Sequence, residues 1–312
     1  MNSQRKITIL GAGHVGSHCA MALAAGAVCE EIVLVDALPE KAAAQALDVA
    51  DALSFPPRPV TVRAGTLADC ADADILVVAI GKPRLPGQTR LDLLADSVRS
   101  LQELTAQLRP MGVKGLVISI TNPADIVADY LRRGLGLPRS RVFGTGTLLD
   151  TARLIRILSE ESGLARSSIS AFSMGEHGDS SMVPFSQVRL GGLPFEAYPN
   201  LSRERILERT RRAGMDVIEA KGSTEFGISQ ALASLCGSIL ADEKRVLPLS
   251  VELQGEYGQT GVHCGVPCRV GRQGIEEIVV LPLTAQEQQQ LDASCQVIRS
   301  HIESGLEIAP LP

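Results

Sequence analysis

One histidine, His177, stands between glycines in GEHGDS, and the helical stretch LLDTARL sets Asp150 and Arg153 three residues apart, hence on one helix face. An imidazole braced by a carboxylate can give or take a proton near neutral pH. A guanidinium can grip a second carboxylate through two parallel bonds without losing its charge. PRLPGQTRLD adds Arg84 and Arg90 around Pro86 and Gly87 and reads as a loop that can move, while TNPAD puts Asn122 between a strand and a helix. Singly, each stretch has a plainer reading. A histidine between glycines is usually a turn residue, and a surface Asp–Arg pair contributes under about 1 kcal/mol. Together, the four stretches hold polar residues that would be expensive to bury without a function.

The turn GAGHVG, with Gly11, Gly13, His14, Val15 and Gly16, follows the strand KITIL and opens a helix. Backbone amides at such a helix start can approach a pyrophosphate, where the helix dipole favours negative charge. Asp36, twenty residues past Gly16, ends the second strand at the distance where a carboxylate accepts from ribose hydroxyls. The same carboxylate repels a 2′-phosphate, so NAD is expected rather than NADP. Ile80 and Gly81, in VVAIGK, end a further strand at the crevice where sheets of this kind bind ligands.

The elements that must hold these residues alternate. KITIL, EEIVLVD, PVTVRAG, ADILVVAIG, GLVISI and RVFGTG read as strands apolar on both faces, with helices between them, the last of which, PADIVADYLRRG, opens on a proline. That pattern predicts a parallel, doubly wound α/β sheet covered on both sides. Beyond GTGT the rhythm changes to long helices and a glycine-rich, sheet-like stretch from Arg245 to Leu283, so residues 1–145 and 146–312 are expected to form two tightly packed domains. With 45% hydrophobic residues the 312-residue chain can bury a large core. A net charge of −5, 3% aromatics and no Trp argue against nucleic acid. No apolar run is long enough to span a membrane and no signal pattern opens the chain, so a cytoplasmic protein is expected. Seven cysteines read as reduced, mostly buried thiols. His263, Cys264 and Cys268 in HCGVPC fall short of the four ligands of a structural zinc site, so no metal is expected.

Taken in order along nearly the whole chain, these motifs resemble the L-lactate and malate dehydrogenase family of NAD-dependent L-2-hydroxy acid dehydrogenases. The resemblance implies a Rossmann NAD-binding domain followed by an α+β substrate and catalytic domain, working as a homodimer or homotetramer on a small 2-oxo or 2-hydroxy acid. By resemblance, His177 is the proton donor and acceptor and Asp150 its partner. Arg153 grips the substrate carboxylate, Arg90 polarises the keto oxygen, and Asn122 bonds the same oxygen and borders the nicotinamide. Thr224 joins the substrate contacts; Ser97 and Thr121 join the cofactor contacts.

The substrate signals conflict. Six residues before Arg90, where lactate enzymes of the family typically have Gln and malate enzymes Arg, this chain has Arg84. Facing the methyl of pyruvate, that arginine would be a stranded charge costing roughly 3 kcal/mol or more, about a hundredfold in selectivity. Gln88, where many lactate enzymes carry Glu, points the same way, and oxaloacetate is the expected substrate on this ground. Glu176 and Thr224 look lactate-like, and TGTLLDTAR resembles the 2-hydroxyisocaproate enzymes, so pyruvate or a branched 2-oxo acid is the alternative. An NAD-dependent glycosidase would need a metal-binding cysteine where Thr121 stands; a non-enzymatic NAD-binding protein would be silent with every 2-oxo acid. Sugar-phosphate control is not expected, because Ile155 and Ser170 occupy the places where activated bacterial lactate dehydrogenases tend to have arginine and histidine. Adding fructose 1,6-bisphosphate is therefore expected to leave the substrate KM unchanged in steady-state assays; a large fall would contradict this.

Overall fold

The structure, a computed structural model, describes residues 5–55, 59–81 and 90–311, with side chains in the helix that begins at Arg90 described from Leu94 on. The first half runs β1 (Lys6–Leu10), α1 (His14–Ala25), β2 (Glu31–Val35), α2 (Pro39–Ala52), β3 (Thr61–Ala64), β4 (Ile75–Val78), α3 (Arg90–Leu108), β5 (Leu116–Ser119), α4 (Ala124–Leu135) and β6 (Val142–Gly144). The second half runs α5 (Leu148–Ser162), β7 (Ile169–Ser170), β8 (Arg189–Leu190), β9 (Leu193–Pro194), α6 (Arg203–Lys221), α7 (Phe226–Leu240), β10 (Arg245–Gln254), β11 (Thr260–Gly271), β12 (Gly274–Ile278) and α8 (Ala285–Ile308).

Six strands pair in parallel in the order β3-β2-β1-β4-β5-β6, with Ile7 opposite both Ile32 and Ile75. The chain reverses direction across the sheet at β1 and β4, which opens a crevice at their carboxyl ends. Val and Ile on both faces of these strands are buried because helices cover both sides: β1, β4 and β5 are buried along their whole length. The sheet-like stretch of the second half does not make a sheet of its own. It forms β10, β11 and β12, which extend the same sheet antiparallel from β6, Ser250 pairing with Gly144. A smaller core lies under the three-stranded sheet of β7, β8 and β9, where Leu154, Ile157 and Leu158 of α5 meet Ile206 of α6 and Leu190.

Local chemistry fixes the helix ends that matter for the site. Pro123 is the cap of α4 and not its first residue, its carbonyl accepting the Val127 amide. α5 stops at Gly163 in the left-handed region. At the start of α8, Thr284 Oγ1 accepts from the Glu287 amide at 3.2 Å while Glu287 returns a bond to the Thr284 amide at 2.9 Å. The Glu287 carboxylate also accepts from the Ser186 amide and hydroxyl, so the cap pins α8 to the chain that follows the His177 loop. All seven cysteines are free and buried. Among the described residues no helix is long and apolar enough to cross a membrane, and no cluster of His, Cys, Asp or Glu could hold a metal. His263 instead bonds Asp129 at 3.0 Å in the interior.

Candidate active site

The glycine turn fits a dinucleotide for steric reasons. Gly11 has φ +101°, and a Cβ there would lie 2.5 Å from the Ala79 carbonyl oxygen; a Cβ on Gly16 would lie 1.8 Å from the Gly11 oxygen. Only hydrogen at both positions lets the turn fold back on β4 and leaves the start of α1 open for a phosphate. Gly13 precedes the helix, His14 is exposed, and Val15 packs on the core. Asp36 is fixed at the end of β2, its Oδ2 accepting the Ala12 amide at 2.7 Å and its Oδ1 the Leu38 amide at 3.1 Å. Its carboxylate thus stands beside the turn, with lone pairs left for a ribose.

Across the crevice, Thr121 Oγ1 donates to the Ile80 carbonyl at 2.6 Å, tying the end of β5 to the end of β4 beside Gly81. Ser97 Oγ on α3 donates to the Asn122 carbonyl at 3.2 Å. The structure therefore brings Ile80, Gly81, Ser97, Thr121 and Asn122 to one edge of the sheet. Arg84 and Gln88 lie outside the described residues, and Arg90 is described only as the first residue of α3. Thr224 is half-buried in the short link between α6 and α7.

The His177 loop is held from four sides. Its ring Nδ1 is 2.6 Å from Asp150 Oδ2, and the other oxygen of that carboxylate accepts Arg153 Nη1 at 2.8 Å. Gly175 pairs with Gly265 on β11, the Glu176 amide donates to Ser294 Oγ on α8 at 2.8 Å, and the His177 amide donates to Asp125 Oδ2 on α4 at 2.9 Å. The Asp150 charge raises the His177 pKa to about 9, against the opposing effects of burial and of Arg153. Burial pushes the Asp150 carboxyl up, but the charges and hydrogen bonds of His177 and Arg153 outweigh it and hold the group below its ordinary value. Asp125, Ser250 and Gly214 were not among the residues picked from the sequence. Gly214 matters because α6 there passes so close to Arg153 that a Cβ would stand 3.2 Å from Nη1. No pattern marks it, since the contact is made across two helices.

A parallel sheet with a glycine turn and an Asp–His pair at its carboxyl edge defines a nicotinamide-dependent dehydrogenase. The lactate/malate dehydrogenase NAD-binding domain matches residues 5–144 and the α/β C-terminal domain of the same family residues 147–309, so the chain belongs to the lactate/malate dehydrogenase family. It is an NAD-dependent oxidoreductase that acts on a 2-hydroxy acid. Similar proteins include an L-lactate dehydrogenase of Fusobacterium nucleatum, 39% identical over 98% of this chain and 98% of the relative. L-lactate dehydrogenase 1 of Bifidobacterium longum is 39% identical over 97% of this chain and 99% of its own. Among solved structures, the ligand-bound minor L-lactate dehydrogenase of Enterococcus mundtii superposes with a TM-score of 0.93 at 32% identity, covering 96% of this chain and 98% of that one.

The glycine turn yields a direct test. Gly16→Ala is expected to weaken NADH binding at least tenfold, measured by titration of NADH fluorescence; unchanged binding would mean that the turn does not carry the cofactor.

Proposed function

We propose that the protein reversibly reduces a small 2-oxo acid to its L-2-hydroxy acid, with pyruvate and L-lactate as the physiological pair. The observation that carries the chemistry is the Asp150 carboxylate held between His177 and Arg153. Because Nδ1 is committed to Asp150, the proton for the substrate leaves from Nε2, and the raised pKa keeps the imidazolium populated at neutral pH. NADH, when bound, supplies the hydride. His177 then meets the negative charge that grows on the keto oxygen with a proton, and Arg90 and Asn122 meet it with hydrogen-bond donors. Arg153 holds the substrate carboxylate, and Thr224 lines the substrate side. Gly11, Gly13, His14, Val15, Gly16, Asp36, Ile80, Gly81, Ser97 and Thr121 form the cofactor side.

For the substrate, the relatives named L-lactate dehydrogenase tip the balance away from oxaloacetate, which Arg84 and Gln88 favoured. Oxaloacetate stays as the second reading on account of Arg84, whose charge would pair with a second carboxylate. We further propose a cytoplasmic homodimer or homotetramer whose residues 1–145 hold the cofactor and 146–312 the acid–base and carboxylate-gripping groups.

Initial rates with pyruvate, oxaloacetate and 4-methyl-2-oxopentanoate at equal NADH test the substrate, with pyruvate expected to give the highest kcat/KM; a higher value for oxaloacetate would move the assignment to malate. His177→Asn is expected to abolish turnover while NADH still binds, and a variant keeping a tenth of the wild-type rate would remove His177 from the chemistry. Arg153→Lys is expected to raise the substrate KM about a hundredfold, since a point charge cannot reproduce the paired bonds; an unchanged KM would exclude that role.

A further inference from the structure

Asp125 has none of the roles assigned above, yet it is 1% exposed and touches the His177 loop directly. It lies in the first turn of α4, three residues after Asn122. One carboxyl oxygen accepts the His177 amide at 2.9 Å and the other accepts the Ser250 hydroxyl, from β10, at 2.6 Å. Both oxygens thus meet a donor, the arrangement that suits a carboxylate. The start of α4 favours a negative charge at this position. Burial works the other way and pushes the carboxyl above its ordinary value, with Glu176 adding to the rise and the Ser250 and His177 bonds opposing it.

We propose that Asp125 is a positioning residue for proton transfer: it ties the His177 loop to the turn carrying Asn122 and places a second negative charge behind the imidazole. The proposal rests on the reading of His177 as the proton donor. Asp150 fixes the ring, whereas Asp125 fixes the backbone from which the ring projects, so the two carboxylates constrain different degrees of freedom. Both favour the imidazolium, and Arg153 opposes them. Three other described groups face this pair. Glu176 adds a negative charge from the His177 loop itself, α8 contributes the uncharged Ser294, and the Cys264 thiol on β11 is pushed well up by its contact with Cys295 and by burial, so it stays neutral.

The test is the pH dependence of kcat/KM for 2-oxo acid reduction, using the best substrate of the panel at saturating NADH. Reduction needs the imidazolium, so the wild-type rate is expected to fall as pH rises through about 9. Asp125→Asn keeps the size and an acceptor oxygen for the His177 amide but removes the charge. It is expected to move the alkaline limb down by about one pH unit, with NADH affinity unchanged. Ser250→Ala leaves the carboxylate but removes a donor that disperses its charge, and is expected to move the limb the other way, upward, by less. An Asp125→Asn enzyme that binds NADH normally and whose limb coincides with the wild type would overturn the proposal. Should that variant fail to fold, the absence of any shift in Ser250→Ala does the same. A fully active His177→Asn enzyme would instead overturn the acid–base reading beneath it, so the two failures are distinguishable.

Discussion

One carboxylate, that of Asp150, bonds the side chains of His177 and Arg153 at once, and the proposed chemistry depends on this sharing. Its two oxygens lie 2.6 Å from His177 and 2.8 Å from Arg153, so a single anion orients both the side chain proposed to move the proton and the one proposed to grip the substrate. Buried without those partners, the carboxylate would be strongly penalised, and without it the histidine would lose its proton at a lower pH. The sharing requires Asp150 and Arg153 on one helical face, which α5 supplies, and a loop rigid enough to bring His177 to the same point.

That rigidity comes from distant parts of the chain. The loop is pinned by β11 at Gly175, by α8 at Glu176 and by α4 at His177 itself, three attachments within three consecutive residues. Each of these elements is packed in the main core, so the geometry of the acid–base pair is inherited from a large buried volume and not from the loop's own sequence. Sites held in this way are stiff, which is what proton transfer over a short fixed distance needs.

The sequence showed the parts of the site that obey local rules. The glycine turn and Asp36 are legible because sterics and strand length dictate their spacing, and Asp150 with Arg153 because helical periodicity does. The strand pattern gave the parallel sheet, and the family resemblance joined motifs that lie far apart in the chain. What escaped was long-range. That β10, β11 and β12 continue the first sheet depends on how β6 pairs, which no local pattern encodes. Asp125 sits inside the quoted TNPAD stretch, but its burial against His177 and Ser250 appears only when three elements converge. Arg84 carries the clearest sequence argument about the substrate, yet the relatives, which the sequence alone could not supply, weigh against it.

The pairing of Ser250 with Gly144 makes the two halves of the enzyme share one continuous ladder. A protein cut between them would leave β6 with a raw, unpaired edge along a strand that is buried throughout, an invitation to cross-chain stacking. The cofactor half is therefore a poor candidate for use as a stand-alone module, and grafting it elsewhere would call for a replacement strand to close that flank.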